Sequence, residues 1–533
     1  MNDVSFRWLG TNQTNSPNNL TRVKPIRLSD FWWLFAVGLI AVAFCLPFTL
    51  YVFWLGDEGV VLHGAERILR GDRIYLDFFE FLPPGSFVIT AIWFKVVGIS
   101  LLSARALAIA TAAGIACFTY LGCRQASKHA PTSAFIAVAW VVLTQGYWTE
   151  VNHQWFTTLL AIVAAWASLI VIEHPPRWSP WPLTAGIAAG AAAMVTTNRG
   201  ALTVLAAATP FLNVRRYWRE LIVYLFGAAL VPTCVFMYLA WQGALTEAFE
   251  DLILFTVKSY ASFAVVHFGF EAIFPLKWLF PLVAVLTVLT YIRGWPRCLQ
   301  DRVLQTCVAF GLAGFVGCFP RPDKGHISYA VASVCPLLAY CMRQLTGHWL
   351  PKYRYSVAAA AVVYLFPAAL VYERWADRAL HGEIVPMPRG RVMLAPMLDP
   401  VGGRELAARI AATPTGDAYF FYPYDAMLPF LTARRHVSRY DVFVPSYTFP
   451  SQYQEACVSV MQNASWVVID RDWTSPKWLT AVYPHMKDPQ PPETRKFEQA
   501  LETGFELVAV AGKFELRRRV PSIDDTVCAD IAG

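Results

Sequence analysis

Asp57 and Glu58 stand side by side just after Trp54, where the first long apolar run of the chain gives way to polar sequence. A carboxylate at a lipid–water edge is costly to desolvate unless it is solvated, paired or employed. Employed, it could take the proton of a hydroxyl, which is a poor nucleophile near neutral pH, so Asp57 and Glu58 are the catalytic candidates. The same loop, "DEGVVLHGAERILRGDRIYLDFFEFLPPG", reads as a short amphipathic helix over 58–70, a Gly-Asp turn and an aromatic stretch. It ends in Glu80 and in Pro83-Pro84-Gly85, which opens another apolar run.

A second polar loop, "YWTEVNHQWF" (147–156), carries Glu150 and His153, able to bind a substrate or, with Asp57, a divalent ion. Groups able to hold an anionic partner are Arg105, Arg199, Lys258 with Tyr260, and Arg321, Lys324 and His326 of "RPDKGH". Each of these taken singly reads more readily as a topology or headgroup residue; the 320–326 loop stands out because Arg, Lys and His crowd into it. Tyr260, His267 and Glu271 belong to the 243–275 segment, an expected external flap or a solvated amphipathic face.

The elements that position these groups follow from composition. The 533 residues are 56% hydrophobic and 15% charged, with a mean hydropathy of +0.42; a soluble chain carries about 25% charged residues. Repeated apolar segments between short basic loops define a polytopic α-helical membrane protein. Eleven spans are expected, near 32–54, 103–123, 132–147, 155–173, 182–197, 200–213, 220–242, 276–293, 303–319, 327–345 and 355–373. The run at 86–99 carries Lys95 and reads as a juxtamembrane or re-entrant helix. Counting it as a crossing would move Arg124 and Lys128 away from the side that holds the other basic loops.

With residues 1–31 as a cytoplasmic tail, the acids and cations above collect on the opposite, extracytoplasmic side. The net charge of +7 follows from this topology and excludes a nucleic-acid reading. The first apolar run has no small-residue cleavage site after it and reads as a retained anchor.

Beyond residue 373 the pattern changes. "DAYFFYP" (417–423), "WVVID" (466–470) and "FELVAVAGKFELRRR" (505–519) read as strands, and 403–412 and 451–463 as helices. Residues 374–533 are therefore expected to form an extracytoplasmic α/β domain on the 32–373 membrane domain. Nine of the eleven Cys lie in or beside apolar segments and read as small hydrophobes. Only Cys457 and Cys528 fall in the tail, and an oxidising compartment would let them pair.

The loop from Asp57 to Arg105 resembles the first extracytoplasmic loop of the GT-C glycosyltransferases. It is closest to the family 39-like branch of protein O-mannosyltransferases and lipid A aminoarabinose transferases. The matching features are the Asp57-Glu58 pair, Glu80 before Pro83-Pro84-Gly85, and Arg105 opening the next span. The likeness covers 32–175 best.

The resemblance implies a polyprenyl-phosphate sugar donor, an extracytoplasmic glycan, lipid or protein acceptor, and inverting displacement with Asp57 as base. It implies a multi-pass inner-membrane protein with its site on the periplasmic side, and no cofactor or metal. Two positions depart from the pattern. Several relatives place Lys where this chain has Phe81, and often a second Asp where it has His153. A transporter or flippase of lipid-linked sugars and a glycan polymerase or ligase are the competing readings. A transporter would place its polar site near the bilayer midplane.

Overall fold

The computed structural model describes residues 28–146, 148–173, 179–260, 265–346, 366, 369–370, 372–521, 525–529 and 531. The N-terminal basic residues, most of the 355–373 run and the side chain of Tyr260 lie outside the described residues.

Six helices among the described residues are long and apolar enough to cross a membrane: Asp30–Phe48, Leu101–Ser127, His153–Glu173, Val214–Gln242, Pro275–Gly294 and Lys324–Leu345. Shorter apolar helices are Gly85–Val97, Ala130–Thr144 and Arg302–Val316. The chain is a multi-pass membrane protein. Its centre is the helix Leu101–Ser127, whose Ala104, Ala108, Ala112 and Ala116 are buried. Small side chains let neighbouring backbones approach closely, which drives helix association where lipid offers no hydrophobic gain. The periphery is the helix Val214–Gln242, which leaves Leu225, Phe226, Phe236 and Trp241 exposed to the lipid.

Two stretches differ from the sequence expectation. The run 32–54 is not one continuous helix. Helix α1 (Leu28–Cys45) ends in a 3-10 turn, Leu46–Phe48, because Pro47 removes a backbone donor. The chain then extends as strand β1 (Tyr51–Val52). The 182–197 and 200–213 runs form two short packed helices, Trp181–Ala193 and Thr197–Ala207. At 1.5 Å per residue neither reaches the roughly 30 Å of a hydrocarbon core. The 86–99 run is the short helix Gly85–Val97, and its first backbone N–H bonds the carbonyl of Met194 at 2.8 Å.

The strand-like stretches of the tail form two sheets. Strands β2 (Ile384–Met387) and β3 (Gly390–Leu394) make an antiparallel hairpin, and β3 pairs in parallel with β1, Tyr51 opposite Met393. The second sheet has the order β5-β4-β6-β8-β7. Its strands are β4 (Ala418–Tyr422), β5 (Arg435–His436), β6 (Trp466–Asp470), β7 (Phe505–Ala511) and β8 (Phe514–Arg519). Strands β5, β4 and β6 are mutually parallel, and β7–β8 is the hairpin that turns at Gly512 (φ +59). Helices Pro400–Ala411 and Pro450–Asn463 pack among them. Cys457 and Cys528 are joined in a disulfide with a Cα–Cα distance of 5.7 Å. The small sheet is the tie between the two parts of the molecule: its first strand leads directly into Asp57.

Candidate active site

Helix α2 (Asp57–Arg70) begins at Gly56 and carries Asp57 and Glu58 in its first turn, where the helix dipole favours negative charge. Most of α2 is buried, because it is clamped between the membrane helices and the tail domain. Two glycines permit the clamp. A Cβ on Gly59 would lie 2.0 Å from the backbone nitrogen of Met427, and one on Gly56 would lie 2.8 Å from the ring of Tyr424. Met427 N–H in turn donates to the Leu55 carbonyl at 2.8 Å.

The adjacent acids have different fates. Asp57 is exposed, and the Tyr424 hydroxyl of the tail domain donates to its Oδ1. Burial, then the Asp57 charge, pushes the Tyr424 hydroxyl well above its ordinary pKa, so it stays a donor. Glu58 points inward. Arg105 donates through Nη1 to Oε1 and through Nη2 to Oε2 at 2.9 Å, and the Val151 N–H donates to Oε1 at 3.0 Å. Arg105 spends its remaining reach on the Tyr51 carbonyl at 3.0 Å. The structure places Glu58, expected as a catalytic acid, and Arg105, expected as a phosphate ligand, against each other. Glu58 has both oxygens occupied and Arg105 is fully enclosed, because a buried charge is tolerated only when paired and hydrogen-bonded.

Glu150 is buried close by. Asn152 donates to its Oε1 at 3.1 Å. Burial first, then the charges of Glu58 and Asp57, pushes its carboxyl well above the usual range.

A second group of expected residues meets on the neighbouring helices. Arg321 donates to Asp323 at 2.7 Å and to the Val482 carbonyl of the tail at 3.2 Å, and lies over the ring of Tyr483. His326 Nδ1 sits 2.8 Å from Asp323 Oδ1. Burial works against the Asp323 charge, but His326 and Arg321 hold the carboxyl well below its ordinary value. Lys324 opens the same helix, Lys324–Thr346. His153 starts helix His153–Glu173, within electrostatic reach of His326 and Arg199. Arg199 is buried and bonded to Gln154, Thr158 and the Tyr329 carbonyl, so it braces helices and does not face the site. Tyr329 joins the two groups, packing on Trp155 and His326 within electrostatic reach of Asp57, Glu150 and Asp323.

The 243–275 segment closes the ring as part of the packed structure and not as a free flap. It forms the helix Leu245–Phe249 and the π-helix Glu250–Tyr260, in which Lys258 is exposed and Ser259 donates to the Tyr447 carbonyl at 2.7 Å. Farther on, Gly269 N–H bonds the Pro322 carbonyl and Lys324 N–H bonds the Phe270 carbonyl, both at 2.9 Å.

Glu80 lies apart from Asp57. It is buried between α2, the π-helix and the tail, and burial, then Asp441 and Asp251, pushes its carboxyl well above normal. Here His63 Nδ1 meets Asp441 Oδ2 at 2.9 Å, and His436 lies 3.5 Å from Oδ1. This cluster ties α2 to the tail. Among the described residues, no three of His, Cys, Asp and Glu are grouped as ligands for a metal ion.

Sequence reasoning missed Tyr424, Tyr329 and Asp441. Tyr424 and Asp57 are 367 residues apart, and no local pattern links them. Tyr329 looked like an ordinary aromatic of an apolar run.

The exposed carboxylate at the start of α2, bonded by a tyrosine of the α/β tail, sits in a chain with the GT-C fold. The chain is similar to the crystal structure of ArnT from Cupriavidus metallidurans bound to undecaprenyl phosphate, with a TM-score of 0.55, 14% identity, and coverage of 92% of this chain and 98% of that one. The apo form of that protein gives 0.53 at 15% identity over 94% and 98%. The Archaeoglobus fulgidus oligosaccharyltransferase complexed with zinc and sulfate gives 0.50 at 12% identity over 84% and 68%. No family model matches the chain. No curated protein matches it in sequence.

Proposed function

We propose that this protein is an integral-membrane glycosyltransferase. It moves a sugar from a polyprenyl-phosphate donor to an extracytoplasmic glycan, lipid or protein acceptor. The observation that carries the reading is the split between the adjacent acids: Glu58 is locked to Arg105, while Asp57 is exposed with a lone pair free to accept a proton. The acceptor hydroxyl proton passes to Asp57, its oxygen bonds the anomeric carbon from the face opposite the phosphate, and the carbon–phosphate oxygen bond breaks. The polyprenyl phosphate leaves with the electron pair, and the configuration inverts.

Arg321, Lys324 and His326, and with them the exposed Lys258, supply the charge that a departing phosphate needs. Beside them an apolar groove of about 680 Å³ runs between Leu202, Leu205, Val265, Val316 and Phe319. Pro320, the neighbour of Arg321 in sequence, is among its lining residues, which suits an anionic headgroup with an isoprenoid chain. The ArnT crystal structure was obtained with undecaprenyl phosphate, a donor carrier of this kind. Glu150 and His153 line the acceptor side. The Cys457–Cys528 disulfide fits a tail domain, residues 374–533, on the periplasmic side of the inner membrane.

The test is transfer. Purified protein is supplied with a panel of undecaprenyl-phosphate monosaccharides, and release of undecaprenyl phosphate is followed for wild type and Asp57→Asn. A fall of at least about 100-fold is expected for the variant. Equal rates would remove Asp57 as base, and lipid translocation without release would favour a flippase.

A further inference from the structure

We propose that Tyr424, in the tail domain, is a positioning residue for the Asp57 carboxylate, so that the site is complete only when the tail is docked. The inference rests on the reading of Asp57 as the base.

The geometry is direct. Tyr424 follows strand β4, and its hydroxyl donates to Asp57 Oδ1. Strand β4 leads to β5 on one side of the sheet, whereas β6, its other neighbour, leads on toward β8. In α/β sheets the crevice beyond the carboxyl ends of strands at such a divergence is where ligands bind. Asp57 is delivered to that crevice.

The ring of Tyr424 has little freedom to turn away. It stands 5.1 Å from Trp473, just past the end of β6, and 6.4 Å from Trp54, while Trp54 and Trp473 are themselves 5.1 Å apart. On the membrane side the approach is set by Gly56 and Gly59 and by the Met427–Leu55 backbone bond.

The consequence is chemical. A donor on Oδ1 fixes the carboxylate plane and leaves Oδ2 as the oxygen that accepts the acceptor proton. Hydrogen bonds to an ionised oxygen are roughly twice as strong as neutral ones, so one hydroxyl suffices to choose between rotamers. Tyr424 itself transfers no proton.

The experiment uses full-length protein and needs no donor. Dicyclohexylcarbodiimide couples to protonated carboxyl groups, and peptide mass spectrometry reads its extent at Asp57 as a function of pH. Tyr424→Phe keeps the ring and removes the donor that stabilises the ionised form. Its Asp57 labelling is expected to be at least about two-fold greater than wild type at the same pH, because the carboxyl has lost its hydrogen-bond partner. Tyr424→Gln, which restores a donor without the ring, returns toward wild type and serves as the second variant. Tyr440→Phe, which removes a tail hydroxyl bound to Glu455, leaves the profile unchanged.

Coincident profiles for wild type, Tyr424→Phe and Tyr424→Gln would overturn the inference. In the transfer assay, Tyr424→Phe is expected to lose about ten-fold in kcat with donor KM within two-fold. An inactive Asp57→Asn beside an unchanged Tyr424→Phe sinks this inference alone. An active Asp57→Asn sinks the reading of Asp57 as the base beneath it.

Discussion

Glu58 and Arg105 form an ion pair with each side chain only 1% exposed, Nη2 to Oε2 at 2.9 Å, between the first turn of α2 and the helix Leu101–Ser127. The pair sets where α2 meets the membrane domain, and so where Asp57 stands. Removing one partner strands the other: Glu58→Ala or Arg105→Ala is expected to cost about 3–5 kcal/mol. Arg105→Lys fails as well, since an ammonium cannot make the two-pronged contact. Thermal unfolding in detergent checks both, and Glu58→Leu with Arg105→Met is expected to recover part of the loss. A stable but inactive Glu58→Ala would return Glu58 to the chemistry.

Gly59→Ala places a methyl 2.0 Å from Met427 N and 2.4 Å from the Ala426 carbonyl carbon, both backbone atoms that cannot swing aside. Helix α2 must then lift from the tail at a cost of about 3 kcal/mol. Lower folded yield and faster proteolysis between the two parts are expected. Gly416→Ala, with nothing within 4 Å, is the neutral control.

Stability depends on pH through the cluster around Glu80. Burial raises the Asp251 carboxyl to about 7, against the opposing Arg439. A carboxylate whose folded pKa is raised contributes stability that is full below its unfolded pKa near 4 and is lost as pH rises through the folded value. The Asp251 contribution is therefore expected to be lost between about pH 4 and 7, by about 4 kcal/mol at most. Asp251→Asn removes that slope. Unfolding midpoints at pH 5 and 8 measure it, and parallel slopes would refute it.

The cationic loop is tested by binding alone. Arg321→Ala and Lys324→Ala are each expected to weaken undecaprenyl phosphate binding about ten-fold, with a shallower salt dependence than wild type. Native mass spectrometry of the purified protein gives both quantities. Arg199→Ala is expected instead to lower stability, since its guanidinium braces Gln154, Thr158 and the Tyr329 carbonyl. Undiminished binding in the Arg321 and Lys324 variants would move the phosphate elsewhere.

The sequence by itself determined what depends on near neighbours. Apolar runs marked most of the membrane helices, and short aromatic and β-branched runs marked β4, β6 and the β7–β8 hairpin. The acids after the first run marked the start of α2. These patterns are legible because helix and strand periodicity and the burial of lipid-facing surface act over a few turns of chain.

Tertiary structure decided which of two adjacent acids is locked in an ion pair and which is exposed. Asp57 and Glu58 are chemically alike, and only Arg105, 47 residues away, and the Val151 N–H give one a buried role and leave the other exposed. It also brought Tyr424 across 367 residues to Asp57, drew Glu80 away to Asp251 and Asp441, and converted Arg199 from a candidate ligand into a brace. Pairing of buried charges depends on which surfaces meet, and no local pattern in a single chain records that.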